Sequence, residues 1–239
     1  MGEKQFRERP FSLGPYPLEC LSHDPAIATQ EAAAGPLTAA RETTTGSNSL
    51  ATALAEYIDH LKPFLKGEAA PQGAVPDDLA LRTADVKGAC YFLDAAAVGV
   101  CQIPDNAWIG DAVPGHTHAV VFLLEHGRTP ENGNAARAWI DGNVEQNSNL
   151  FAAEIAAVVS GHIRALGFAA EGHIPGEGLV DSERLAVMAG LVVREGQGLR
   201  PPHIGTGFSI GVITTAYELV CDTALAAGAL SEFRFGYWA

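Results

Sequence analysis

Apolar residues return in two distinct rhythms along this chain. Over 50–65, Leu50, Leu54, Ile58, Leu61 and Leu65 recur at steps of three and four, the spacing that gathers side chains on one face of an α-helix. Ser47, Asn48 or Ser49 supplies an N-cap, Gly67 a stop, and Pro63 a kink or an early end. A loop rich in Pro and Gly, 67–78, leads to a second helix expected over about 78–94, with Leu79, Val86, Ala89, Tyr91 and Phe92 as its buried positions. The runs 97–103 and 118–126 are almost unbroken in apolar residues and read as short buried strands, the first stopped by Pro104. A polar, turn-rich stretch at 127–147 precedes the clearest helix, 149–168. Leu150, Ile155, Val158, Val159, Ile163 and Leu166 fall on one of its sides, and Gly167 is placed to end it. A short strand near 169–174, a short helix over 182–190 capped by Asp181, and a strand within 206–220 rich in Ile, Val and Thr complete the pattern.

This succession of helices and strands predicts an α/β chain, an α+β sandwich with helices packed on a mixed sheet. Residues 1–48 read as an N-terminal arm punctuated by Pro10, Pro15, Pro17, Pro25 and Pro36, and residues 49–239 as the folded domain. The arm's Phe11, Leu13, Tyr16 and Leu18 are apolar enough to pack against a neighbouring surface.

Composition narrows the function classes. Apolar residues make up 47% of the 239, enough for a sizeable core. Fifteen basic against 28 acidic residues leave a net charge of −13, which argues against a nucleic-acid partner, since a phosphate backbone needs a basic face. No uncharged apolar run reaches the length of a membrane span and no secretory leader is visible, so a cytoplasmic protein with no membrane partner is expected. Cys20, Cys90, Cys101 and Cys221 are too scattered for a metal knuckle, a redox pair or an iron–sulfur cluster held by this chain alone.

Familiar fingerprints are missing: no dinucleotide-binding glycine turn, no P-loop, no zinc-protease helix. The stretch GFSIG at 207–211 has the form G-x-S-x-G, but that nucleophile needs a strand–turn–helix context, and Ser209 is followed by strand-forming residues. His116 and His118, two apart, would share a strand face, yet no third metal ligand stands nearby in sequence. Glycines are densest over 176–211, where they serve either as ordinary loop residues or as places where backbone approaches a ligand. Arg194, Arg200 and His203 are the potentially cationic residues of that region, suited to an anionic group or simply to solvent. The closing FRFGYWA at 233–239 suits packing on the core or on a partner.

Several segments together resemble one family. ACYFLDAAAVGVCQIPDNAW at 89–108 resembles the helix–strand unit of reductive dehalogenases, and HTHAVVFLLEH at 116–126 follows at the spacing of that family's next strand. AEIAAVVSGHIRALGF at 153–168 is similar to its long helix, LAVMAGLVVREGQGL at 185–199 to a stretch shared with epoxyqueuosine reductases, and FSIGVITTAYEL at 208–219 to its last strand. The resemblance covers about residues 50–222. It departs where the family's glycine–arginine loop has become GLVVREG at 190–196, where Thr215-Ala216 replaces a Thr-Asp ending, and in the absence of the cysteine motifs of the iron–sulfur module.

The resemblance implies a nitroreductase-like fold, a cobalamin-type corrinoid as cofactor, and reductive removal of halide as the reaction class. A separate iron–sulfur protein would then supply electrons. It points to the loops around Gly190, Arg194, Gly196, Gly198, His203, Gly205 and Gly207 as the lining of a corrinoid site. Catalytic residues stay unassigned, and no metal ligands are expected. The opening RPFSLGPYPLE at 9–19 and the altered loop look closest to the degenerate second copy of this domain that some long reductive dehalogenases carry at their N-terminus. That resemblance implies a second reading, a non-catalytic scaffold or subunit-interaction domain, including a homo-oligomer. A flavin-binding nitroreductase relative is the third, without a clear flavin-phosphate motif to support it.

Overall fold

The computed structural model describes Leu18 and residues 21–37, 46–176, 179–196, 198–205 and 207–232. The arm residues Phe11, Leu13 and Tyr16, and the aromatic run 233–239, lie outside these. Its centre is a sheet of β1 (Ala97–Gln102), β2 (His118–Glu125), β6 (Phe208–Thr215) and β3 (Ala170–His173), in the order β1-β2-β6-β3. The α/β architecture is as expected, but every pairing in the described sheet is antiparallel rather than mixed.

Register assigns the two faces. Val98, Val100, Val120, Phe122, Leu124, Ile213 and Ala170 point to one core, covered by α5 (Val144–Ala165), α2 (Ser49–Leu61) and α3 (Leu79–Phe92). Cys101, Ala119, Val121, Leu123 and Val212 point to the other, covered by α6 (Ser182–Met188) and the chain that follows it. With apolar layers on both sides, β2 needs no polar alternation, which is why its sequence reads as a continuous apolar run. At Gly99 the β1 backbone meets the end of α6 so closely that a Cβ would fall on the Ala189 carbonyl oxygen.

The helix ends follow local chemistry. Asn48 accepts from Ala51 N at 3.0 Å and caps α2. Pro63 converts the helix into a 3₁₀ turn, Lys62–Phe64, and Leu65 then turns into the core. Asp78 caps α3 through Ala80 N, and Gly167, at φ +98°, follows the end of α5. Phe92, expected among the buried positions of α3, is 86% exposed, and Val158, on the apolar side of α5, is 56% exposed.

The long helix begins five residues before its expected start, at Val144. Its first turns are buried yet polar. Gln146 Nε2 donates to Ala51 O at 3.1 Å, and just before the helix Asn143 Nδ2 donates to Asn48 Oδ1 at 3.0 Å and Trp139 O at 2.7 Å. Such pairing lets polar residues occupy the interior. A four-residue α4 (Arg137–Ile140) and α1 (Pro25–Ala33) were not anticipated either. The segment expected to be glycine-rich connection instead forms a small hairpin, β4 (Val193–Glu195) with β5 (Gly198–Arg200).

An ion pair locks β1 to the far end of the described chain. Lys87 Nζ, its side chain 4% exposed, lies 2.6 and 2.7 Å from the two Asp222 carboxylate oxygens. The same carboxylate accepts from Val100 N at 2.7 Å, and Asp222 N donates to Val100 O at 2.8 Å.

Candidate functional site: the α6–hairpin region

The residues expected to line a cofactor site lie between α6 and β6. Asp181 starts α6 by accepting from Arg184 N at 3.0 Å. Arg184 is buried: its Nη1 donates to Asn106 O and its Nη2 to Gly35 O, each at 2.7 Å, and its Nε sits 3.3 Å from the Asp181 carboxylate as an ion pair without a hydrogen bond. Gly190 follows at φ +70°, its Cα facing the Thr223 carbonyl so that a Cβ would collide with that oxygen. In the hairpin, Arg194 forms a forked pair with Glu31 of α1, at 2.9 and 3.2 Å. The Glu31 hydrogen bond raises the Arg194 pKa above its ordinary value. Gly196, at φ +59°, makes the hairpin turn and Gly198 begins β5. Arg200 pairs across the hairpin with Glu195 at 3.3 Å.

His203 is half-buried, and burial pushes its pKa down to about 4. Gly205 and Gly207 sit near the end of β2, beside Glu125 and His126 respectively, and His126 N donates to Gly207 O at 2.9 Å. The seven expected residues therefore fall into separate neighbourhoods: Gly190 against Thr223, Arg194 on α1, and Gly205 with Gly207 at the end of β2. Arg194 is already paired by Glu31, Gly190 backs onto Thr223, and Val192 and Val193 are buried in the core. As placed, these residues are held largely by contacts within the chain itself.

Two hydrogen-bonded clusters escaped the sequence. Ser209 is buried within β6; its hydroxyl donates to Asn149 Oδ1 at 2.7 Å and lies 3.2 Å from His126 Nε2. With its proton given to Asn149 and a strand running through it, Ser209 ties sheet to helix rather than serving as a nucleophile. The two histidines read as a possible pair separate: His118 Nδ1 bonds Thr117 Oγ1, while His116 Nδ1 lies 2.9 Å from Thr214 Oγ1. The Thr214 hydroxyl also meets His173 Nε2 at 2.9 Å. A hydroxyl has one proton, so it donates to one ring and accepts from the other. Among the described residues no group of three or more His, Cys, Asp or Glu is placed to hold a metal ion.

This cluster predicts a pH effect. Burial, with a smaller contribution from His116, lowers the His173 pKa to about 4, and burial lowers that of His116 as well. The unfolded chain then binds more protons between pH 6.5 and 4, so stability is full above 6.5 and falls as pH drops through that window. The His173 share is about 3 kcal/mol. Urea unfolding at pH 7 and 5 should show a clear loss for the native chain and a smaller one for His173→Asn, which keeps the loss from the other depressed histidines, His203 above all. Equal losses would remove His173 from the account.

Comparison with known proteins places the domain. No protein-family model and no curated protein matches the chain. Solved structures do. A reductive dehalogenase described with a mechanism for B12-dependent dehalogenation superposes with a TM-score of 0.79 and 40% identity over 92% of this chain. The N-terminally tagged catabolic reductive dehalogenase NpRdhA gives 0.78 and 40% over the same share, and also appears in complex with 3-bromo-4-hydroxybenzoic acid. This chain spans 31% of the length of each. Among the described residues no helix is long and apolar enough to cross a membrane. With a closely similar trace and two residues in five shared over nearly all of its length, the chain belongs to the reductive dehalogenase family and spans about a third of the length of those proteins.

Proposed function

We propose that this chain is the non-catalytic, subunit-interaction domain of a reductive dehalogenase system, acting in the cytoplasm on a module that holds the corrinoid and draws electrons from an iron–sulfur protein. The observation that carries this reading is the closure of the α6–hairpin region by its own contacts. Glu31 engages Arg194, Thr223 covers Gly190, and Val192 and Val193 are buried in the core. The chain also matches less than a third of its solved relatives, so the remaining two thirds of such a protein are available to carry cofactor and clusters.

A second reading has its own support. The relatives at 40% identity include a protein described as B12-dependent, and a domain of the same family that binds cobalamin itself would need only a separate electron donor. Mixing the purified chain with cobalamin, followed by gel filtration, separates the two. The scaffold reading expects all cobalamin absorbance to elute as the free small molecule. Co-elution near one per chain with a changed spectrum would replace it with the second.

A further inference from the structure

We propose that the open apolar groove along the outer face of α5 is the seat of a partner protein's amphipathic helix whose apolar stripe is flanked by Lys and Arg. This rests on the subunit-interaction reading and specifies its docking surface.

The groove has a volume of about 1110 Å³ and lies between α5, the end of α3 and the 3₁₀ turn after α2. Its floor is built from large apolar side chains left in water: Phe92 is 86% exposed, Phe64 55%, Val158 56% and Phe151 48%. Phe92 is a position whose sequence context reads as core, and Val158 lies on the apolar side of its helix. Scattered apolar residues on a surface need no explanation, but several converging on one groove mark an interaction site. Along α5, Phe151, Glu154, Val158 and Gly161 succeed one another at steps of three, four and three, so they form one ridge on the helix. At its end Gly161 leaves a notch: a Cβ there would meet only Arg164 Nη2, at 3.6 Å. A ridge with a notch beside a parallel wall is the shape that receives another helix.

Charge selects the occupant. The ionisable residues lining the groove are Asp94, Glu125 and Glu154, all carboxylates. The neighbouring Arg164 spends its guanidinium on the carbonyls of Phe64, Leu65 and Ala170. A second copy of this chain, seated about a two-fold axis, would set this acidic rim against itself, and each copy carries a net charge of −13. A helix with basic flanks meets the rim with opposite charge while burying the aromatic floor.

The test uses the intact chain and two labelled helical peptides with the same Leu/Ala stripe, one flanked by Lys and the other by Glu, read by fluorescence anisotropy. The Lys-flanked peptide should bind about tenfold more tightly than the Glu-flanked one at low salt, with the difference shrinking as salt rises. Val158→Ser, at an exposed site, should weaken it about tenfold. Gly161→Leu fills the notch, should weaken binding comparably, and should not lower the melting temperature, because leucine favours the helix over glycine. Equal binding of both peptides, or binding untouched by Val158→Ser and Gly161→Leu, overturns the proposal. So does self-association of the chain that Phe92→Ser abolishes, which would make a second copy the occupant. Failure here with cobalamin still excluded removes the groove assignment alone; cobalamin retention removes the scaffold reading whatever the peptides do.

Discussion

Asp222→Ala should lower the unfolding free energy by about 3–5 kcal/mol, the range for removing one partner of a buried ion pair. The loss has two parts. Lys87 would be left charged and almost fully enclosed on α3, and Val100 N would lose its acceptor on β1. Most of the cost comes from the stranded ammonium, so the double variant Lys87→Met, Asp222→Ala should recover more than half of it. The residual should be about 1–3 kcal/mol, that of an unsatisfied buried amide. Chemical denaturation at pH 7 checks both. A single variant within about 1 kcal/mol of the native chain would mean that water reaches Lys87 once the carboxylate is gone.

Gly99→Val should be comparably severe, by a mechanism that involves no charge. The new Cβ would be driven into the Ala189 backbone carbonyl, which is held in place by the last turn of α6. Backbone yields less readily than a flexible side chain, so strand and helix must part, at a cost of about 3 kcal/mol or more. Because α6 and the hairpin follow the displaced segment, near-ultraviolet circular dichroism should change along with the melting temperature. A variant that melts within a few degrees of the native chain would show that the α6 layer slides freely over β1.

How much of this was legible from sequence depends on which residues are asked to speak. The stripe of α2 and the apolar strands β1 and β2 were readable because burial dictates their composition directly. The early start of α5 was hidden because Gln146, Ser148 and Asn149 are buried but polar, each admitted by a partner distant in sequence. The α1 helix announces itself only through Asp24 and Pro25 at its start, since none of its residues is buried and it has no stripe. The β4–β5 hairpin was read as loop because three-residue strands are too short to display alternation, and the glycines around its turn look like loop chemistry. Phe92 reads as a core position for a sound reason, being a large apolar residue on an apolar-rich helix. What a sequence does not state is whether the layer covering a residue belongs to its own chain. For the expected cofactor residues, nearness in sequence did not become shared contacts: Gly190 lies against Thr223, Gly207 against His126, and Arg194 is taken by an acid 163 positions earlier.

The hold of Glu31 on both Arg194 and Arg184 carries a dynamic consequence. Helix α1 contributes no fully buried side chain: Ile27 and Ala28 pack against the core only half-buried, and the rest of its hold is this carboxylate and a few backbone acceptors, among them Glu31 O and Ala34 O for Asn106 and Gly35 O for Arg184. Segments with few fully enclosed apolar contacts open at a free energy well short of global unfolding. The amides of the arm helix and of the small hairpin, joined through Glu31, should therefore exchange with solvent before those of the four-stranded sheet beneath them.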